Sequence, residues 1–157
     1  MRSDVCLRDR KYRNAIEHIM DQLRKQPRTQ EGNFWHKNIY PNQVWLDGLY
    51  MGQVFYMMYE SRFGGKEHYS DIIKQFKLVR RNMFNDEKQL YYHAYDESRQ
   101  MYWADKTTGL SQNFWLRSMG WYLLALIECL DAIDQSVYEY YDDLKSLFKE
   151  ALKGVLK

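Results

Sequence analysis

Two stretches of this chain are apolar almost all the way round. VWLDGLYMGQVFYMMY at 44–59 and FWLRSMGWYLLALIECL at 114–130 carry no continuous polar face. A helix of that kind is covered on every side in its folded protein. The rest of the chain must therefore wrap these two segments. Three other segments are apolar on one face only, at the 3.6-residue spacing of a surface helix. They are 12–25 (Tyr12, Ala15, Ile16, Ile19, Met20, Leu23), 69–84 (Tyr69, Ile72, Ile73, Phe76, Val79, Met83) and 137–155 (Val137, Tyr140, Tyr141, Leu144, Leu147, Phe148, Ala151, Val155). The order is one-sided, covered, one-sided, covered, one-sided. Alternating outer and inner helices are what an α/α toroid requires, whereas a plain four-helix bundle would make every helix one-sided. The expected fold class is all-α, with inner helices near 43–62 and 113–132.

The two apolar segments also repeat each other. VWLDGLYMG (44–52) aligns with FWLRSMGWY (114–122), matching Trp45 with Trp115, Leu46 with Leu116 and Asp47 with Arg117. That alignment places Asp47 and Arg117 near the starts of adjacent inner helices, converging on one cleft. Asn42 after Pro41, and Ser111 or Asn113, are the expected start signals. Gly64-Gly65 should stop the first of the two helices. Between them, QLYYHAYDESRQMYW (89–103) has no helical period. Its alternating aromatics predict a β-hairpin or ordered loop on the rim, where a rigid scaffold commonly carries function.

Composition narrows the function classes. The 157 residues are expected to form a single domain over 1–157. Net charge is +2 without a basic tract, so nucleic acid is not an expected partner. No uncharged apolar run reaches roughly 18 residues, so no membrane span is expected. The charged start lacks the apolar core of a signal peptide, which points to a cytoplasmic chain. Cys6 and Cys129 form no motif or disulfide framework. Aromatic residues make up 17%, which suits either sugar-stacking walls or a large helical core.

Three ordered motifs carry a family resemblance. They are H-x-x-x-Y-P-N-Q-V-W-L-D-G-L-Y-M (His36 to Met51), Y-H-A-Y-D-E-S (Tyr92 to Ser98) and F-W-L-R-S-M-G-W-Y (Phe114 to Tyr122). Together they resemble glycoside hydrolase family 105, the unsaturated rhamnogalacturonyl hydrolases, and their relatives in family 88, the unsaturated glucuronyl hydrolases. The resemblance covers roughly residues 33–132. It implies a six-hairpin (α/α)6 toroid, of which this chain supplies about half, as a fragment or truncated product. It also implies a substrate: pectin-derived oligosaccharide whose terminal galacturonyl ring carries a C4=C5 double bond. Such enzymes hydrate that vinyl ether instead of attacking the anomeric carbon, so the two-carboxylate schemes of ordinary glycosidases do not apply. No metal or organic cofactor is implied.

The resemblance assigns Asp47 as the general acid/base. Read from the residues alone, Asp47 is equally a helix-start carboxylate favoured by the macrodipole. Its neighbours Trp45, Leu46, Leu49 and Tyr50 predict a desolvated carboxyl, whereas the helix start and Arg117 act in the opposite direction. His36 and His93 read as rim histidines, and by resemblance as substrate-binding imidazoles; no close ligand spacing points to metal. Arg117, on an apolar helix, is expected to be buried and to need an anion. That anion is either an internal carboxylate or the substrate's uronate, gripped by the planar fork. Trp121 follows Arg117 at i+4 on the same face, and the resemblance places both in the substrate pocket. Trp45 is a candidate wall for stacking on a sugar face, as are Trp115, Trp103 and Tyr95. Asp96 and Glu97 read as loop structure or peripheral binding, and His18 and His68 as structural or exposed.

One departure stands out. The family's second acidic residue lies upstream on an earlier inner helix, and only 46 residues precede Asp47 here. The 12–25 helix offers no buried acid, and Asp4 and Asp9 sit in a charged start. The rival expectation is a non-catalytic helical module that binds acidic oligosaccharide or packs on a missing partner. In either case uncovered inner helices would favour self-association.

Overall fold

A computed structural model describes residues 10–157, and the expectations for Cys6, Asp4 and Asp9 lie outside that range. Among the described residues there are five helices: α1 (Arg10–Arg24), α2 (Leu46–Arg62), α3 (Tyr69–Met83), α4 (Leu116–Ala132) and α5 (Tyr138–Val155). Four short strands lie between them: β1 (Gln43–Trp45), β2 (Phe84–Asn85), β3 (Leu90–Tyr91) and β4 (Ala94–Asp96). Helices α2 and α4 form the central pair. Helix α1 packs on α2, α3 on α2 and α5, and α5 on α4. Hence the one-sided segments are the outer layer and the two apolar segments the inner one.

The outer helices differ in how much they cover. All six apolar residues expected on α3 are buried, because α3 is held between α2 and α5. On α1 only Met20 is buried, since α2 is its main neighbour. The core runs through Leu46, Met57, Phe76, Val79, Met119, Tyr122 and Leu126. On α5, Gly154 passes the β2–β3 turn so closely that a side chain there would collide with the Gln89 carbonyl.

The inner helices are not covered on all sides, as expected for part of a toroid. Met51 and Met58 on α2, and Leu116, Leu124 and Ile127 on α4, are exposed. The described neighbours occupy only part of each helix's circumference. What remains is an apolar strip along each.

Neither inner helix starts as expected. The residues at the N-caps are Trp45 (φ −121°, ψ 145°) and Trp115 (φ −136°, ψ 114°). Both are extended, and neither makes a side-chain capping bond. Asn42 instead takes a left-handed turn (φ 62°) into β1, and Ser111 bonds through its backbone to Ala94. The helix ends agree better: Phe63 and Gly64 both donate to the Tyr59 carbonyl, and Gly65 sits at φ 69°. That left-handed position suits glycine because it has no β-carbon.

Segment 89–103 does not fold into a hairpin by itself. Strand β3 pairs back with β2 (Phe84 opposite Tyr91), whereas β4 pairs antiparallel with the distant β1 (Trp45 opposite Ala94). Tyr92 also bridges Phe114, ahead of α4. The 91–96 segment is thus a brace from which both inner helices depart. The repeat seen in sequence is a repeat of entry geometry: strand, tryptophan, helix.

Candidate functional site

The site lies where α2 and α4 begin. The loop between α1 and β1 forms one wall and is tied down by side chains. Arg28 grips Asp71 of α3 with both fork nitrogens (2.6 and 2.7 Å). Buried Gln75 accepts from the Phe34 backbone and the Asn33 amide. The Glu97 carboxylate, next to β4, accepts from the backbone of Gln30. These anchors come from α3 and the β4 loop, so the wall is held by two separate elements.

Asp47 is the second residue of α2 and half-buried. Its Oδ2 accepts a 2.7 Å hydrogen bond from Oγ of Ser118, the third residue of α4. That bond sets the two helix starts side by side. The aligned peptide dipoles favour negative charge there. The contact across the two helix starts runs from Ser118 to Asp47, whereas the neighbouring Arg117 side chain lies over Trp115.

His36, Tyr40 and Trp45 form a block of parallel rings. The His36 and Trp45 centroids are 4.6 Å apart at 4°, and those of Tyr40 and Trp45 are 5.6 Å apart at 2°. The Trp45 indole N–H is held by Gln43 (3.0 Å). Burial lowers the pKa of His36, helped by Lys37 and opposed by the charge of Asp47. The imidazole is thereby biased to its neutral form, and its Nδ1 is buried without a hydrogen-bond partner. A groove of about 790 Å³ opens beside this block, along α1 and α2, with Phe34, Trp35, Met51 and Phe55 on its walls. Of the candidate site residues it takes in His36 and Trp45; Asp47, His93, Arg117 and Trp121 lie outside it.

His93 lies in the brace between β3 and β4. Its Nδ1 donates to the Asn113 carbonyl (2.9 Å), since a carbonyl can only accept. Nε2 is thereby left as the atom available to a ligand. The ring meets Trp115 edge-on at 6.0 Å. The His93 carbonyl accepts from the first amide of α2 (3.1 Å), so imidazole and helix start move together.

Arg117 corrects the sequence reading. It is exposed, not buried, and its guanidinium lies 3.9 Å over the Trp115 ring. No carboxylate pairs with it among the described residues. The fork rests on an aromatic face, its hydrogen-bonding edge not committed to any protein anion. Trp121 does not stack with it; Trp121 packs at 4.7 Å on Tyr50 of α2, lining the seam between the inner helices.

Three other acids have structural partners. Asp96, fully buried, accepts from the Ser98 backbone (3.0 Å), the Ser98 hydroxyl (2.7 Å) and the Met101 backbone (2.9 Å). On α1, Glu17 accepts from Tyr59 and Asp21 from Arg24. Among the described residues no group of three His, Cys, Asp or Glu side chains is placed to hold a metal ion. Cys129 is buried in α4, where desolvation pushes its thiol pKa up. Sequence reasoning did not single out Tyr40, Gly48 or Ser118. Tyr40 carried a signal, as the last residue of H-x-x-x-Y. Ser118 carried none, because its partner is 71 residues away.

A family model described as Glycosyl Hydrolase Family 88 matches residues 6–157. The chain belongs to glycosyl hydrolase family 88. A solved family 105 glycoside hydrolase from C. acetobutylicum ATCC 824 superposes on 93% of this family 88 chain with a TM-score of 0.89 and 41% identity. The match takes up 40% of that protein. A structure from Salmonella enterica, described as a possible family 105 member, shares the fold at 18% identity (TM-score 0.74, 94% of this chain, 38% of that one). The unsaturated rhamnogalacturonyl hydrolase YesR of Bacillus subtilis (strain 168) is 28% identical over 117 residues, which is 71% of this chain and 32% of YesR. The family 88 chain described here is therefore an arc of an (α/α)6 toroid. It spans about two fifths of the length of the solved relatives it superposes on. Among the described residues, no helix is long and apolar enough to cross a membrane.

Proposed function

We propose that this arc carries the proton-transfer half of an unsaturated uronyl hydrolase acting on lyase-cut pectin or rhamnogalacturonan oligosaccharides. The observation that carries the reading is the carboxylate of Asp47, held by Ser118 at paired helix starts, with the neutral-biased His36 and the uncommitted Arg117 on neighbouring segments. Asp47 donates a proton to C4 of the 4,5-unsaturated ring, and positive charge develops at C5 and the ring oxygen. The resulting carboxylate takes a proton from water as that water's oxygen bonds to C5. One water is added across the double bond, and Asp47 regains its proton. The hemiketal at C5 then opens and releases the saturated sugar. Arg117 binds the uronate with its planar fork. His36 and His93 bond to sugar hydroxyls, and Trp45 and Trp121 wall the ring. The reading needs no cofactor.

The test is loss of ultraviolet absorbance from the C4=C5 uronate on incubation with the protein. Asp47→Asn is nearly isosteric but can neither deliver nor accept the proton. General acid–base groups contribute ~10²–10⁴-fold, and Asp47 serves both transfers, so kcat should fall to the upper end with KM little changed. Retained turnover in Asp47→Asn would remove the assignment.

A second reading is favoured by the apolar strip of Met51, Leu116, Leu124 and Ile127. In it the arc is a non-catalytic helical module that self-associates or packs on further toroid hairpins. A stable monomer at all concentrations in size-exclusion chromatography would count against it.

A further inference from the structure

We propose that Ser118 is a positioning residue that decides which oxygen of Asp47 carries the transferred proton; this rests on the proposed hydration reaction. Ser118 is fully buried, and a buried hydroxyl needs a partner. Its partner is Asp47 Oδ2 at 2.7 Å. No hydrogen bond to Oδ1 is made among the described residues.

The chemistry follows from what each oxygen can do. With Asp47 ionised, Ser118 donates to Oδ2. With Asp47 protonated on Oδ1, Oδ2 is a carbonyl-type oxygen and still accepts. The same hydrogen bond therefore persists through both halves of the cycle, whereas protonation at Oδ2 would require the Ser118 hydroxyl to turn and accept instead. Oδ1 gives its proton to C4 and recovers one from water, and Oδ2 stays fixed to α4. The bond also locks the carboxyl rotamer across two helices, and such positioning contributes to rate through orientation. At the equivalent position of the sequence repeat, α2 carries Gly48. There the missing side chain makes room for His36. One repeat position thus supplies a hydroxyl in α4 and a space in α2.

The experiment uses three variants of this chain. Ser118→Ala and Ser118→Cys remove the strong donor, the second at nearly constant volume; Ser118→Thr keeps it. The expected result is a kcat roughly ten- to a hundredfold lower in the Ala and Cys variants. KM should stay within about twofold, and Ser118→Thr should recover turnover. Independently of activity, the three-bond N–Cγ coupling of Asp47, read by NMR, should report one rotamer in the unsubstituted chain and in Ser118→Thr. It should average between rotamers in the Ala and Cys variants. Unchanged kcat in folded Ser118→Cys overturns the proposal, as does a single Asp47 rotamer in that variant. If the unsubstituted chain shows no turnover, the hydration reading fails for this chain, and the coupling measurement decides the positioning role by itself.

Discussion

Gly48 and His36 are matched by the absence of a side chain: a β-carbon on Gly48 would sit 3.1 Å from Nδ1 of His36. That approach is tighter than ordinary van der Waals contact, and the imidazole is already stacked on Trp45. Gly48→Ala should therefore shift the His36 ring by a few tenths of an ångström from its place against the indole. Helix propensity moves the other way, since alanine replaces glycine inside α2, by about 1 kcal/mol. The expected outcome is weaker binding of uronate oligosaccharide with melting temperature little changed. Isothermal titration and a thermal melt on the same sample check both.

Arg117 should behave as a binding residue. Arg117→Lys keeps the charge but loses the planar fork and its stack on Trp115. Hydrogen bonds to charged groups are worth about 1.5–3 kcal/mol, so KM should rise on the order of ten- to a hundredfold. The effect on kcat should be smaller. Because the guanidinium is exposed, the melting temperature should hardly move, and a large drop in stability would contradict the exposed stack.

Asp96→Asn should cost stability instead of chemistry. The carboxylate accepts three hydrogen bonds in full burial. An amide presents a donor to at least one of those donors, and leaving a buried group unsatisfied costs about 1–3 kcal/mol. Denaturant unfolding should show that loss, whereas kcat measured well below the melting point should stay near that of the unsubstituted chain.

His36 gives a pH dependence with a definite sign. Its folded pKa lies below the unfolded value, chiefly because of burial. As pH falls through about 6.5, the unfolded chain takes up a proton that the folded chain resists. Stability should therefore fall with acidification from that point down to the folded pKa, and level off below it. Thermal melts from neutral pH downward should show the slope, and His36→Gln should flatten it.

The local order of this protein was legible in its sequence because helix periodicity is a local property. The apolar face of α3 was read residue by residue, and all six of its residues are buried. The tryptophan-led repeat was legible too, as was the family, since His36, Asp47, His93 and Arg117 recur in ordered motifs. Nothing local, however, joins residues far apart in the chain. The pairing of β4 with β1, the hydroxyl of Ser118 on Asp47, and the space that Gly48 leaves for His36 exist only once the inner helices lie side by side. Arg117 shows the same division. Its apolar neighbours in sequence implied burial, but its place at the first turn of α4 puts it over Trp115, in solvent. An apolar circumference states how much surface a helix can bury. Which part of it is buried, as the open strips on α2 and α4 show, depends on the neighbours that tertiary structure brings against it.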